Sequence, residues 1–263
     1  MMNILFTLCG RAGSKGYENK NLKTFLNIPL VYYSIAAIDM YIKNEARKED
    51  CIDVVLNTDS GDLIDLVTKQ TKILVDVIHR EASLGGDAVP KVSVIKDCMI
   101  QMETKKDKKY NMVVDFDITS PLRTRKDVGN AIEKKAARED ADVVYSVTAS
   151  RRNPYFNMVK EENGYFCKAI ASEYTARQQA PVFYDMNASI YAYSVEALRE
   201  KEAKVFFNDK CDAILMKDTG ILDIDSEEDF ELMQVIARYL FDTNNEYIRL
   251  YKAALSIKES TNI

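Results

Sequence analysis

The feature that most constrains this chain is an alternation of short β-rich runs with longer stretches of helical spacing. The strands are predicted at Asn3–Cys9, Ile52–Asn57, Ile73–Ile78, Met112–Phe116, Asp142–Thr148, Ser189–Tyr193 and Ala213–Met216. The helices between and after them are predicted at Leu30–Ile42, Asp62–Lys69, Lys91–Glu103, Arg125–Arg138 and Ser226–Tyr239. This order predicts an α/β fold with a doubly wound, mostly parallel sheet that is covered by helices on both faces.

The alternation breaks between Arg151 and Met186, where Tyr, Phe, Arg and Gln are frequent and no period is clear. We interpret residues 151–186 as an excursion from the sheet. A final amphipathic stretch, Asn244–Lys258, predicts a C-terminal helix. Because no flexible linker or internal repeat is visible, residues 1–263 are predicted to form a single domain.

Composition excludes several classes of protein. The net charge of −5 gives no basic field for nucleic acid. The apolar start MMNILFTLCG is too short for a transmembrane helix and has no basic leader, and the five cysteines form no CxxC pair. These features predict a cytoplasmic protein with reduced thiols. His79 is the single histidine, so the chemistry has to rest on carboxylates, cations and backbone amides.

The loop after the first predicted strand, Gly10–Asn21, has the sequence GRAGSKGYENKN. Its glycines, spaced by three, suit a backbone that wraps an anion while Arg11, Lys15 and Lys20 close over it. The spacing matches neither the Walker A loop nor the GxGxxG fingerprint. Since ligands of open α/β sheets bind beyond the carboxyl ends of strands, the loop predicts a triphosphate site.

The same loop resembles the RxGSKGxxxKN signature of the CMP-sugar synthetases for sialic, legionaminic, pseudaminic and Kdo acids, with Ala12 where glycine is usual. The resemblance covers about residues 3–240. It implies a Rossmann-like nucleotidyltransferase that binds CTP, uses Mg²⁺ and forms a homodimer. It also implies catalytic roles for Arg11 and Lys15, and CTP contacts from Gly10, Ala12, Gly13, Ser14, Lys20 and Asn21.

Two further segments resemble nucleotide-binding motifs of this family. NTDS, Asn57–Ser60, resembles its STDS segment, which on its own also suits a polar turn. HREASLGGD, His79–Asp87, resembles the RxxxLxxD loop. That likeness implies that Arg80 lies near the cytosine and that Asp87 also contributes to the CTP site.

DITSPLRT, Asp117–Thr124, resembles the family's QPTSPLRT loop. The likeness implies that the sugar is lined by four of its residues: Asp117, Thr119, Ser120 and Arg123. Asp117 replaces a glutamine that is common in sialic acid enzymes, which argues against plain N-acetylneuraminate as the acceptor.

Three segments of the excursion look most like the legionaminic acid branch: SRRNPYFN (150–157), TARQQAP (175–181) and YDMNASIY (184–191). Arg177 aligns with an arginine that holds the sugar carboxylate, a role suited to a planar bidentate donor. The sugar-binding residues implied here are Arg151, Arg177, Gln178, Tyr184 and Asn187. Phe156 stands where the sialic acid pattern has lysine, and Asp185 where it has arginine. Either Arg151 or Arg152 could supply the lost charge.

The last motif is DIDSEEDF, Asp223–Phe230. On an extended strand Asp223 and Asp225 would point the same way and could share a cation. The motif resembles the family's metal-binding DIDTxED, which implies Mg²⁺ at both aspartates and a catalytic role for Asp225. Ser226 and Asp229 form a capping-box pattern at the start of the following helix.

Together these motifs predict transfer of CMP from CTP to the anomeric hydroxyl of a legionaminic-type acid. N-acetylneuraminate, pseudaminate and Kdo are alternative acceptors, and a GTP- or UTP-dependent sugar nucleotidyltransferase is a second alternative. A non-catalytic nucleotide-binding scaffold is the alternative from another class, although a scaffold has no need of this set of charges.

Overall fold

The computed structural model describes residues 1–13, 16–86 and 88–261 of the chain. In these residues a seven-stranded sheet has the order β11-β7-β10-β6-β1-β4-β5, and two small hairpins, β2–β3 and β8–β9, stand apart from it. The strands are β1 Asn3–Cys9, β2 Thr24–Phe25, β3 Ile28–Pro29, β4 Cys51–Thr58, β5 Asp76–His79, β6 Met112–Phe116, β7 Val143–Ala149, β8 Val159–Glu162, β9 Tyr165–Lys168, β10 Tyr184–Ser194 and β11 Cys211–Leu215.

The sheet is parallel except for one strand. β1 pairs in parallel with both β4 and β6, β4 with β5, and β7 with β11. β10 runs antiparallel between β6 and β7. The predicted doubly wound, mostly parallel sheet is therefore confirmed, and the carboxyl ends of β1, β4 and β6 meet at one edge.

Helices cover both faces of the sheet. They are α1 Leu30–Asn44, α2 Gly61–Lys69, α3 Lys91–Lys106, α4 Arg125–Ala137, α5 Val195–Glu200, α6 Glu227–Thr243 and α7 Asn245–Glu259. Successive side chains of β1 point to opposite faces of the sheet and so enter two separate hydrophobic clusters. Phe6 packs with the cluster of α1, α4, α6 and α7, and Leu5 packs with the cluster of α3 and α5. In the described part of the chain, no helix has the length and apolarity needed to cross a membrane.

Most predicted elements are present, with shifted ends. β5 starts at Asp76 rather than Ile73, because the Gln70 side chain bonds the backbone of Lys72 and Ile73 and holds that stretch in a turn. Asn244 caps α7 by accepting the N–H of Glu246. The sequence reasoning missed α5 and both hairpins.

The excursion leaves the sheet after β7 and returns at β10. Its two ends are adjacent, since the N–H of Ser150 donates to the carbonyl of Phe183 at 3.0 Å and Tyr184 pairs with Ala149. Between them the β8–β9 hairpin carries large apolar side chains that face solvent, among them Phe166 with 74% exposure. The excursion, called the appendage below, therefore leaves the sheet and rejoins it at the same place.

Candidate functional site

A cavity of about 420 Å³ lies at the carboxyl ends of the central strands. Its lining includes residues from the first loop, the segment before α3, the loop after β6 and the loop before α6. It is formed by Cys9, Arg11, Gly16, Lys20, Asn21, Arg80, Leu84, Gly86, Val89, Lys91, Val94, Asp117 and Asp225. The fold thus brings together six residues that the sequence motifs singled out: Arg11, Lys20, Asn21, Arg80, Asp117 and Asp225.

The first loop is anchored by its own backbone. The Gly10 N–H donates to the Asn57 carbonyl at 3.2 Å, and a Cβ at position 10 would lie 2.8 Å from a terminal methyl of Leu63, so a larger residue there would force that side chain to shift. The Ala12 N–H donates to the Asp59 carboxylate at 2.7 Å. Gly13 has a φ of +64°, which glycine adopts without strain.

Asn21 holds the loop from inside. Its side-chain amide donates to the Arg11 carbonyl at 3.2 Å, and the residue is buried. The guanidinium of Arg11 donates to the Gly85 carbonyl at 3.4 Å, which joins the first loop to the segment before α3. The predicted contacts at Ser14, Lys15 and Asp87 lie outside the described residues.

Lys20 connects the first loop to the acidic motif. Its ammonium lies 2.6 Å from the Asp225 carboxylate and 3.1 Å from the Ile224 carbonyl. Burial, together with the nearby charges of Asp225 and Asp117, raises the pKa of Asp223 to about 6, and Lys20 opposes this rise. Three carboxylates therefore repel one another here and leave a site that favours a cation.

The acidic motif was expected on an extended strand, and this expectation was wrong. Asp223 and Asp225 lie in a loop without strand pairing. Between them Ile224 is buried, and its N–H donates to the Thr119 carbonyl at 3.1 Å. Asp223 and Asp225 therefore lie on either side of Ile224, which attaches this loop to the loop after β6. The predicted capping box is confirmed, because Ser226 and Asp229 exchange hydrogen bonds at the start of α6.

The acidic motif alone does not make a complete metal centre. Among the described residues, no group of three or more His, Cys, Asp or Glu side chains is placed to hold a metal ion. Mg²⁺ commonly binds one or two protein carboxylates and takes its other ligands from phosphate oxygens and water. Asp223 and Asp225 fit that pattern, with the charge repulsion at Asp223 as the supporting observation.

Arg80 also lines the cavity and is fixed by two hydrogen bonds. Its Nε donates to the Asn57 side-chain oxygen at 2.7 Å, and its Nη2 donates to the Asn57 carbonyl at 3.1 Å. Asn57 is completely buried at the end of β4. The NTDS segment, which on its own also suits a polar turn, therefore holds Arg80 in place through Asn57.

The cavity is also lined by two members of a partly buried ion cluster. The Lys91 ammonium lies 2.8 Å from Asp115 Oδ2 and 3.1 Å from Asp117 Oδ2. Burial would lower the pKa of Lys91, but Asp115 and Asp117 hold it well above its usual value. Burial would likewise raise the pKa of Asp117, and Lys91 instead holds it below its ordinary value.

Sequence reasoning missed Lys91 and Asp115, although both left a signal. Asp115 is a charged residue within the apolar strand MVVDF, which indicates a buried partner. Lys91 is the first residue of α3, where the helix dipole disfavours a cation unless carboxylates lie nearby.

Arg123 was expected to line the sugar site, and the structure places it in the interior instead. It has no exposed surface, and burial lowers its pKa to about 10. Nε donates to Ser189 at 3.1 Å and Nη1 to Ser34 at 3.0 Å. Nη2 donates to the carbonyls of Asp117 and Ser120. Because these contacts hold the guanidinium inside, Arg123 supports the loop that carries Asp117.

Thr119 and Ser120 are also buried in this loop. The Thr119 hydroxyl donates to Asp117 Oδ1 at 3.0 Å, so Thr119 orients the carboxylate. Ser120 offers its carbonyl to Arg123. Among the predicted sugar contacts of this loop, Asp117 is the residue that lines the cavity.

The predicted sugar residues of the excursion lie outside the cavity lining. Arg151 pairs with Asp218 at 2.9 Å, and Arg177 donates to the Arg151 carbonyl. Gln178 and Tyr184 are exposed. These four residues stand on the surface of the appendage.

Two other polar residues of β10 serve the fold. Asn187 is buried and accepts from the Ser146 hydroxyl at 2.5 Å. Asp185 accepts from the Ser150 hydroxyl at 3.0 Å. Both contacts tie β10 to the strand and loop beside it.

Comparison with known proteins gives one family. Residues 8–254 match the family model described as Cytidylyltransferase. Post-translational flagellin modification protein B of Campylobacter coli is 30% identical over 238 residues, covering 90% of this chain and 96% of that protein. CMP-N,N'-diacetyllegionaminic acid synthase of Campylobacter jejuni subsp. jejuni is 32% identical over 236 residues, covering 90% and 95%.

The fold also matches a solved structure. CMP:2-keto-3-deoxy-manno-octonic acid synthetase complexed with CTP superposes with a TM-score of 0.61 over 90% of this chain and 99% of that one. The two sequences are 13% identical, so this likeness concerns the fold.

Proposed function

Since the chain belongs to the cytidylyltransferase family and is a nucleotidyltransferase, we propose that it transfers CMP from CTP to a nonulosonic acid of the legionaminic type. The anomeric hydroxyl of the acid would attack the α-phosphorus and release pyrophosphate. The family resemblance inferred from the motifs is confirmed. The observation that carries the proposal is the convergence of Arg11, Lys20 and Asp225 on one cavity at the carboxyl ends of the strands.

Positioning and charge neutralisation account for most of the catalysis that this transfer needs. Arg11 and Lys20 bring two cations to the cavity from the first loop, whose backbone is held by Asn21. We assign these cations, with Lys15, to the phosphates of CTP and to the departing pyrophosphate. Arg80, fixed by Asn57, is assigned to the cytosine side of the cavity.

Mg²⁺ is part of the proposal, with Asp223 and Asp225 as its protein ligands. A bound magnesium ion would neutralise charge on the phosphate oxygens. Lys20 presently balances Asp225 at 2.6 Å, so the ammonium and the metal share the same carboxylate region.

The identity of the acceptor acid is less constrained than that of the nucleotide. The relative named CMP-N,N'-diacetyllegionaminic acid synthase supports a legionaminic acid, as do the segments of the excursion described above. The assigned contacts are Asp117 in the cavity and Arg151, Arg177, Gln178 and Tyr184 in the appendage. N-acetylneuraminate, pseudaminate and Kdo remain the alternatives.

We also infer a homodimer that pairs through the appendage and a cytoplasmic location. The exposed apolar side chains of the β8–β9 hairpin, Val159, Tyr165 and Phe166, support the dimer because patches of this kind mark interaction surfaces. The location follows from the substrate, since CTP is an intracellular nucleotide.

The test is pyrophosphate release by the full chain with CTP and Mg²⁺ against N,N'-diacetyllegionaminate, N-acetylneuraminate, pseudaminate and Kdo. We expect the highest kcat/KM with the legionaminate, and loss of turnover when EDTA removes the metal. Parallel assays with UTP and GTP serve as the nucleotide control. Preference for another acid would overturn the acceptor assignment, and turnover with UTP or GTP alone would overturn the nucleotide assignment. CTP binding without turnover on any acid would favour a scaffold.

A further inference from the structure

We propose that Lys91 is a positioning residue that fixes and charge-balances the Asp117 carboxylate as a hydrogen-bond acceptor for the sugar acid, with buried Asp115 as its anchor. This inference rests on the proposed function, because it concerns the acceptor of that transfer. Asp117 belongs to the DITSPLRT motif, whereas Lys91 and Asp115 belong to none of the motifs described in the sequence.

Each of the two carboxylates has a hydroxyl group at one oxygen and the Lys91 ammonium at the other. Asp115 Oδ1 accepts from the Thr7 hydroxyl at 2.7 Å, and Oδ2 lies 2.8 Å from Lys91 Nζ. That second contact is an ion pair without a directed hydrogen bond among the described residues. Asp117 Oδ1 accepts from Thr119 at 3.0 Å and Oδ2 from Lys91 at 3.1 Å. One ammonium therefore bridges two carboxylates, and both are aligned by hydroxyl groups.

The three residues of the cluster differ in solvent exposure, which separates a buried anchor from the part that a ligand can reach. The Asp115 side chain has no exposed surface, whereas those of Lys91 and Asp117 are 35% and 26% exposed. Lys91 and Asp117 line the cavity, and Asp115 does not. A buried carboxylate without a cation carries a large desolvation cost, so Asp115 holds Lys91 in place. Asp117 is the member that a ligand can reach.

The substrates make the charge balance necessary. A triphosphate and a sugar carboxylate bring negative charge into a cavity that is already lined by Asp117 and Asp225 and has Asp223 nearby. An unbalanced Asp117 would repel them. Lys20 also faces this region but is engaged with Asp225 at 2.6 Å. Lys91 is therefore the cation that offsets Asp117.

The chemistry of the contact points to the sugar rather than to the phosphates. An ionised carboxylate only accepts hydrogen bonds, and its two oxygens have further lone pairs beyond those used by Thr119 and Lys91. Hydroxyl and amide N–H groups of a polyhydroxylated acid are the donors that it can take. A phosphate offers none at neutral pH.

The experiment measures KM for the sugar acid and for CTP separately in Lys91→Met, Asp117→Asn and the Lys91→Met/Asp117→Asn double variant. Each single variant should raise the sugar KM at least tenfold and change the CTP KM less than twofold. The double variant should be no worse than the worse single variant, because the two residues act as one unit. Lys91→Arg should recover part of the sugar affinity.

Lys96→Met is the matched control, since it removes a lysine from the same helix whose ammonium bonds the Arg199 carbonyl, away from the cavity. It should leave both KM values unchanged. Thermal unfolding checks that each variant is folded, and Asp117→Asn decides the test if Lys91→Met does not fold.

An equal rise in the CTP KM, multiplied effects in the double variant, or an unchanged sugar KM in folded Asp117→Asn would each overturn the inference. Wild-type protein that turns over none of the four acids would overturn the proposed function instead, so the two failures are distinguishable.

Discussion

At the scale of single residues, Arg123 shows how a buried cation can shape a site that it does not touch. Its guanidinium carbon lies 4.4 Å from the centre of the Phe116 ring, and its nitrogens reach a serine of α1 and a serine of β10. The loop after β6 is thereby tied to two other elements. Planar, multiply donating geometry is specific to arginine, so lysine cannot reproduce it.

We therefore expect Arg123→Lys to lower the free energy of unfolding by about 3 kcal/mol, because it leaves buried carbonyls and hydroxyls without donors. Urea denaturation at neutral pH measures this change. Arg138→Lys is the control, because Arg138 lies on the surface with its side chain 49% exposed. It should leave the unfolding midpoint nearly unchanged. An unaltered unfolding midpoint in Arg123→Lys, with a raised sugar KM, would instead indicate direct contact with substrate.

Site residues that belong to a sequence motif were predictable. Residues whose interaction partner is distant in the sequence and outside any motif were missed. Arg11, Lys20 and Asp225 were placed together because each belongs to a motif that follows a strand. Lys91 and Asp115 are 24 positions apart (115 − 91) and belong to no motif. Their pairing depends on how α3 packs on the sheet, which no local pattern states.

At the scale of elements, the end of α3 is fastened by a carboxylate. Glu103 is nearly buried and receives hydrogen bonds from Arg199 beyond the middle of α5, from Lys109 at 2.9 Å and from the Tyr110 N–H. Burial would raise the pKa of Glu103, but these donors hold it below its ordinary value. The ionised form is therefore preferred in the folded chain.

The sign of the pH dependence follows from that preference. A carboxyl with a lower pKa in the folded state stabilises the fold above its unfolded pKa, about 4.3, and this contribution disappears as the pH falls through the folded value. We expect Glu103→Gln to lower the free energy of unfolding by about 1.5 kcal/mol at pH 7. The difference from wild type should shrink below about pH 4.

Urea denaturation across this pH range measures the effect. Glu202→Gln is the control, since Glu202 forms an exposed pair with Lys204 and should change stability little at any pH. A loss in Glu103→Gln that stayed constant down to pH 3 would contradict the ion-pair explanation.

Elements were predictable to the extent that one local pattern determines them. β1 and β6 match their predicted bounds because each is a short, mostly apolar run rich in residues that favour strands. β10 extends from Tyr184, before the predicted Ser189, because its first residues pair with β7 rather than forming an apolar core strand. The short α5 has six residues, and its Ser194 cap, Glu196 in the first turn and Arg199 in the last turn are weak signals in so short a segment.

At the scale of the whole molecule, the appendage is the surface that we expect to hold two copies together. The Tyr165 and Phe166 side chains are 80% and 74% exposed, and aromatic residues are frequent anchors of interfaces. The Tyr165→Ser/Phe166→Ser double variant should raise the dimer dissociation constant at least tenfold, or about 1.4 kcal/mol. Sedimentation velocity over a dilution series measures it.

Tyr239→Ser provides the control, because Tyr239 is 66% exposed on α6 and lies outside the appendage. It should leave the dissociation constant unchanged. A wild-type chain that sediments as a monomer throughout the series would refute the dimer, and equal weakening by Tyr239→Ser would place its interface elsewhere.

The way in which the appendage is attached to the sheet has a consequence for how such enzymes diversify. Residues 150 and 183 meet through a backbone hydrogen bond, so the chain between them departs from the sheet and returns to the same place. We therefore expect insertions, deletions and substitutions in that interval to leave the strand order and the Lys20–Asp225 bridge in place. If the appendage serves both the acceptor and the dimer, as proposed above, we expect acceptor preference and partner choice to change together while the nucleotide site stays the same.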